Sequence, residues 1–500
     1  MSERESQVGR LRELVKSGGL RHIGVTGSST STTSAPLILL EGMEDEVREE
    51  DIVLIENRND DLILAVCRQG IGVNENLRVG SYSPGIAYVR AKGEAPSKVK
   101  ESYHFTLMFI GVINEDGIRS NDAIVSPGVP VYTFKGSDYN PLKVIEPKDE
   151  YGCVHGGFLA KERKWSIPFH KRFIPYHIGV FGTTGSGKSF LARFLLIPVL
   201  KEAGYRVLVL DWSGMDYAPY MEDVVSVTDV RQHPDSIIEY LVEKTKNFGY
   251  REELNTARIA LEEVVCRRWI GLIEKSGGDA ARLHQLLMDA IINAIVSEHL
   301  KESTKRLAVA RVERGFTKVS AEDLRLFMGT KSVSDLIPEP GSVKVVDMSG
   351  VDTEIKLSFF LTLADYLLLK MYRGDVLDLA LIVDEAPQYC PFEPRGIQRE
   401  TTLRIKNLCA LGRKHNFCMV LISQGIAGEI GINAAVRRNL NTWFIGQIHS
   451  LDLEEVEKRL SPYGIRPDRL LYLPIGQFYF VGKMNPSPTP LLISFDIEGG

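Results

Sequence analysis

Eight consecutive residues, Gly182, Thr183, Thr184, Gly185, Ser186, Gly187, Lys188 and Ser189, have the spacing G-x-x-x-x-G-K-[ST]. Glycines at these positions let backbone N–H groups turn inward around phosphate oxygens. A helix starting at the lysine adds the partial positive charge of its N-terminus. Lys188 is long enough to reach β- and γ-phosphates, and a Ser189 hydroxyl is a ligand for Mg²⁺. The chemistry is the binding of a nucleoside triphosphate by residues 182–189, with Phe190 next in line on the helix.

Three further features suit turnover of that nucleotide. The run Leu379-Ala380-Leu381-Ile382-Val383 leads straight into Asp384-Glu385. At the end of a buried strand, Asp384 would hold the Mg²⁺ shell and Glu385 would orient and polarise the attacking water. A second apolar run, Cys418 to Ser423, ends in Gln424. An amide there suits sensing a γ-phosphate or a water, because it donates and accepts hydrogen bonds without charge, and it equally suits capping neighbouring backbone. Arg413, in Leu411-Gly412-Arg413-Lys414, has a planar guanidinium fit for the charge on a transferring phosphoryl group, from a neighbouring subunit. It also fits a helix C-terminus, where it complements the dipole.

These residues need a buried sheet to hold them. His177 to Phe181 predicts the strand before the glycine loop, and Phe190 to Leu196 has helical spacing after it. Tyr205 to Leu210 is a continuous apolar run ending in Asp211, as buried parallel strands do, and 211–217 then lie at the sheet edge where ligands bind. Val343 to Asp347, Trp443 to Ile448 and Gln477 to Val481 read as further strands of a mostly parallel sheet. From about Pro234 to Arg314 the pattern is helical, which predicts an inserted helical subdomain over 231–334. Its charges, including Lys301, Lys305, Arg306, Arg311 and Arg314, fit a solvated face or a nucleic-acid patch.

The first third reads differently. After residues 7–17, which read as a short helix or a disordered lead, come apolar runs at 23–26, 37–40, 51–55, 62–66, 86–89 and 103–112, separated by polar turns. Many short strands at that spacing predict a small β-barrel or sandwich, with 51–66 as a hairpin. Residues 126–132 read as an extended connection and 139–150 as a linker. No nucleophile–base pair stands out, so this part reads as structural or assembling. The expected organisation is a barrel plus linker over 1–150 and an ATPase core over 151–230 and 335–500.

Bulk composition adds bounds. The chain has 500 residues, 44 % hydrophobic and 25 % charged, with a formal net charge of −5. Any nucleic-acid contact must come from a local basic patch or a channel lined by repeated subunits. Six scattered cysteines form no C-x-x-C and read as free thiols in a reducing cytoplasm. No apolar run approaches about 18 residues and the N-terminus is charged, so neither a membrane span nor a signal peptide is expected.

The order of these motifs resembles the HerA–FtsK superfamily of P-loop motor ATPases, and HerA of the archaeal type most closely. The resemblance is carried by residues 177–189, 211–217, Ile382-Val383-Asp384-Glu385-Ala386-Pro387-Gln388, Leu411 to Lys414 and Leu421-Ile422-Ser423-Gln424. It implies an α/β RecA-like core with a helical insertion behind a small barrel. It also implies a hexameric ring moving double-stranded DNA through a channel with ATP, alongside a NurA-type nuclease in end resection and DNA repair. An arginine acting in trans maps onto Arg413, and a second basic residue before the loop has Lys171 and Arg172 as nearest counterparts. The family's D-x-x-G-E-Y is one residue longer here, Pro387 stands where histidine is usual, and Ser423 precedes Gln424 in place of threonine. The expected function is therefore an ATP- and Mg²⁺-dependent DNA translocase or helicase, with Arg395, Arg399 and Arg404 as channel candidates. A conjugation- or secretion-type ATPase and a nucleotide-gated scaffold for a nuclease are the rival expectations.

Overall fold

The computed structural model describes residues 7–77, 84–94, 101–246, 248 and 255–497. They form two compact units. The first comprises residues 1–203, 422–431 and 440–500, and the second 204–421 and 432–439.

The first unit opens with a helix, Gln7–Lys16, and then a barrel. Its strands are β1 (Arg21–Thr26), β2 (Ser34–Leu39), β3 (Ile52–Glu56), β4 (Leu62–Asn74), β5 (Glu101–Asn114), β6 (Gly117–Arg119) and β7 (Pro130–Thr133). The antiparallel order is β2-β1-β7-β3-β4-β5-β6, and a β2–β5 pairing closes six of them into a ring. Closure removes the free edges that short strands otherwise expose. Inside lie Ile23, Leu37, Val53, Ile63, Leu107 and Val131. Each such side chain contributes about 1.5–3 kcal/mol on full burial. The β3–β4 hairpin pairs Ile52 with Val66 through Glu56 with Leu62, as expected.

Two expectations need correction. Ile86 to Val89 belongs to a helix, Pro84–Lys92. A four-residue apolar run does not distinguish the two periods, and a proline at a first helical position favours the helix. The 126–132 connection contains β7, which pairs with both β1 and β3.

Eleven core strands follow: β8 (Cys153–Leu159), β9 (Glu162–His170), β10 (Ile178–Phe181), β11 (Arg206–Asp211), β12 (Val224–Ser226), β13 (Val343–Asp347), β14 (Leu379–Val383), β15 (Phe417–Ser423), β16 (Thr442–Ile445), β17 (Phe478–Gly482) and β18 (Leu491–Ser494). In the second unit the order β12-β13-β11-β14-β15 is parallel throughout, with β14 and β15 wholly buried. In the first unit β10 runs parallel to β16, whereas β16-β17-β18-β8-β9 are antiparallel. The sheet strands of the first unit are thus less parallel than expected, and two of the antiparallel pairs, β8–β9 and β17–β18, are joined by short connections with no helical crossover.

Between β12 and β13 sits the inserted helical subdomain. Its helices are Pro234–Thr245, Thr256–Ser276, Ala280–Ser297, Glu302–Phe316 and Ala321–Arg325. They share a core that includes Leu241, Leu261, Trp269, Leu287, Ile291 and Phe316. Asn255 and Asp279 cap two of them through their side chains.

Within the first unit a buried ion pair joins barrel to core strands. Arg68, on β4, donates to Glu50 at 3.1 Å, to the Pro490 carbonyl at 2.7 Å and to the Tyr463 carbonyl at 2.8 Å. Tyr479 on β17 donates to Glu50 at 2.9 Å. Burial of Arg68 and Glu50 is tolerable because each has several partners.

Candidate functional site

In the first unit the glycine loop runs from buried β10 into a helix that begins at Lys188. Gly187 has φ +98°, a left-handed conformation that an L side chain resists. A Cβ at Gly182 would lie 2.6 Å from the Ser186 hydroxyl and 3.1 Å from the Gln447 carbonyl, so the loop folds tightly on itself only with glycine there. Four backbone bonds pin its shape: Gly182 N–H to Ser423 O (3.3 Å), Thr183 N–H to Gln447 O (2.7 Å), Ser186 N–H to Thr183 O (3.1 Å) and Gly476 N–H to Ser186 O (3.1 Å). Lys188, Ser189 and Phe190 form the first turn of the helix, and the N–H groups of a helix's first turn suit an anion. The Lys188 ammonium donates to the Thr183 carbonyl at 3.0 Å, across the loop.

Phe190 points outward and is stacked on Phe194, with the Arg193 guanidinium 4.8 Å from its ring. Its own side chain is engaged on its helix. That helix contains a π-turn over Ala192–Leu196 just before Pro198. Proline has no N–H for the i−4 carbonyl, and the wider turn accommodates the missing bond. Gln424, at the end of β15, lies beside the loop: Thr184 Oγ1 donates to Gln424 Oε1 at 2.9 Å.

The second unit holds the acidic half. Asp384 is 5 % exposed at the end of β14 and accepts a hydrogen bond from the Glu385 N–H at 3.0 Å. Glu385 has φ +48°, a conformation uncommon outside glycine, and it caps the short helix Ala386–Tyr389. Asp211 and Asp216 join Asp384 in a group whose carboxylate oxygens lie within 4.8 Å of one another. Asp211 accepts from the N–H groups of Gly214, Tyr217 and Ala218 and from the Ser213 hydroxyl. Four donors use its lone pairs, so Asp211 shapes the 211–218 loop and leaves Asp384 and Asp216 as the oxygens able to face a cation. Burial, then Asp216, then Glu385 and Asp211, push the Asp384 carboxyl up to about 7, against the Glu385 N–H, which lowers it. Such a group is relieved by a divalent cation, and hard carboxylate oxygens suit Mg²⁺.

Among the expected site residues, 182–190 and Gln424 fall in the first unit, whereas Asp384, Glu385 and Arg413 fall in the second. Arg413 is exposed, just past the C-terminal end of the helix Ile397–Gly412. Arg172 lies 5.7 Å from the ring of Tyr151 and of Phe173. Lys171 opens the same short helix, Lys171–Tyr176. Arg395 and Arg399 are exposed, whereas Arg404 is paired with Asp365 and Glu400. Asp216, which the sequence reading did not single out, stands beside Asp384, and its place in the 211–217 motif was the available signal.

A loop of this build cradles nucleotide phosphates, and the chain is a RecA-like P-loop ATPase. Residues 154–364 match the family model described as Helicase HerA, central domain. Solved structures of similar fold include VirB4 of Thermoanaerobacter pseudethanolicus (16 % identity over 69 % of this chain and 97 % of that one, TM-score 0.43). They also include the bacterial conjugative coupling protein TrwBdeltaN70 in its unbound monoclinic form (15 %, 66 % and 87 %, TM-score 0.41). A third is the genome packaging NTPase B204 from Sulfolobus turreted icosahedral virus 2 in complex with ATP-gammaS (13 %, 65 % and 99 %, TM-score 0.32). A comparison with curated proteins finds no match. Among the described residues no helix is long and apolar enough to cross a membrane.

Proposed function

We propose that this protein is an ATP-driven double-stranded DNA translocase of the HerA kind, working as a homo-hexameric ring beside a NurA-type nuclease. The observation that carries this is the match of 154–364 to the central domain of helicase HerA, on a chain whose glycine loop and Asp384–Glu385 strand end both have the build that ATP turnover needs. Residues 182–190 bind the nucleotide. Lys188 neutralises the β- and γ-phosphates, and Ser189 and Asp384 would hold Mg²⁺, with Asp216 as a further oxygen. The ion would supply charge neutralisation between the phosphates. Glu385 orients and deprotonates water, Gln424 senses the γ-phosphate, and Arg413 of an adjacent subunit stabilises the charge that develops. In a ring, a few basic residues repeated around the channel offset the net acidity of each chain.

The test is steady-state ATPase activity with and without double-stranded DNA. Stimulation by DNA at low salt, falling steeply as salt rises, supports a DNA-driven motor. A rate indifferent to DNA at low salt removes it in favour of a protein-handling or scaffold ATPase.

A further inference from the structure

Away from the glycine loop, the first unit gathers a second set of ligand-type side chains. Glu146 follows the short helix Pro141–Val144, between the barrel and β8, and Cys153 and His155 stand two apart on β8. Residues two apart share one face of a strand. The other face is the packed one. Val154 is buried, and a Cβ at Gly156 would lie 2.6 Å from Val199 and 2.9 Å from Leu195, on the helix that follows the glycine loop. That packing fixes β8 and holds Cys153 and His155 together on its more exposed side. His155 Nε2 lies 3.1 Å from Glu146 Oε1. The Cys153 sulfur, a His155 ring nitrogen and a Glu146 oxygen all lie within 4.8 Å of one another. Bonds of about 2.0–2.3 Å to a tetrahedral Zn²⁺ put ligand atoms roughly 3.3–3.8 Å apart, so small rotations of the partly exposed Glu146 and His155 close the set on one ion.

The donors also fit by charge and softness. A thiolate, a carboxylate and a neutral imidazole together balance a divalent cation. A sulfur–nitrogen–oxygen set favours a borderline-soft ion over Mg²⁺, which takes oxygen ligands. Burial, then Glu146, push the Cys153 thiol up, Lys171 opposes them and Glu202 adds to them. A bound cation reverses that balance: it takes the thiolate, and the thiol proton leaves to solvent.

We propose that Glu146, Cys153 and His155 form a Zn²⁺ site, with water in the fourth position, that fastens the segment after the barrel to the first core strand. None of its ligands belongs to the glycine loop or to the Asp384 group.

The test is titration of the intact protein with Co²⁺, a spectroscopic stand-in for Zn²⁺. The thiolate is the sulfur ligand, and only it gives a sulfur-to-cobalt charge-transfer band, so Co²⁺ held by carboxylates alone stays silent. The expected result is such a band in the parent, bleached by added Zn²⁺. Cys153→Ser should abolish it. His155→Ala and Glu146→Gln should each weaken Co²⁺ binding at this band by more than roughly tenfold, the least that loss of a supporting partner costs a metal site. Cys266→Ser, which removes an exposed thiol elsewhere, should leave the band unchanged. A parent without the band overturns the proposal, and so does a band that survives in Cys153→Ser or is lost in Cys266→Ser. If Cys153→Ser does not fold, His155→Ala decides, and parental Co²⁺ affinity in that variant overturns the proposal.

Discussion

Asp384→Asn should stabilise the metal-free protein at pH 8 while abolishing ATP turnover. Asp384 is buried, with two further carboxylates among its close neighbours, and its carboxyl is pushed from the ordinary 3.8 up to about 7. A raised acid holds its proton more tightly in the folded state than in the unfolded chain. Its stabilising contribution is therefore complete below pH 4 and is lost as pH rises towards 7. About 3 pH units at about 1.4 kcal/mol each give a penalty of about 4 kcal/mol once Asp384 is ionised. Asparagine removes the charge and keeps an oxygen for the Glu385 N–H. The assay is thermal unfolding in EDTA at pH 5 and pH 8. A gain of several °C at pH 8, shrinking at pH 5, is expected. Added Mg²⁺ should raise the melting temperature of the parent at pH 8 and leave the variant nearly unmoved. A variant less stable than the parent at both pH values, or a gain that does not depend on pH, refutes this electrostatic account.

Glu385→Gln should retain ATP binding and lose roughly 10²- to 10⁴-fold in kcat, measured by nucleotide binding and single-turnover hydrolysis; surviving turnover would remove Glu385 as the base. Arg413→Ala should slow hydrolysis on the order of 10³-fold. Mixing it with an inactive Lys188→Ala variant should restore activity if the arginine acts between subunits, and a mixture that stays inactive would place it in cis. Arg68→Met leaves Glu50 buried without its guanidinium and should lower stability by about 3 kcal/mol, read by calorimetry. An unchanged transition would show that the pair does not hold barrel to core strands.

What the sequence made legible was local. The glycine loop, the Asp384–Glu385 strand end, the β3–β4 hairpin and the helical insertion each declare themselves within a continuous stretch. Contacts between distant stretches were hidden. β7 pairs with β1, more than a hundred residues earlier, and its Pro130 masks a strand pattern. Asp216 becomes a third carboxylate beside Asp384 only because the buried Asp211 folds its loop over through four hydrogen bonds. The π-turn had a signal in Pro198, placed one turn too early for a regular helix. Arg68 looks like any strand arginine until Glu50 and the Tyr463 and Pro490 carbonyls surround it. Gln424 was readable as a strand-end amide, but its contact with Thr184 of the glycine loop joins stretches 240 residues apart.

The central claim is that ATP turnover moves this protein along DNA. Displacement of a triplex-forming strand from a long duplex measures that movement directly. A motor displaces the strand only with ATP and Mg²⁺, with a delay in proportion to the distance travelled, and Glu385→Gln displaces none. DNA-stimulated hydrolysis by the parent protein without any displacement would contradict it.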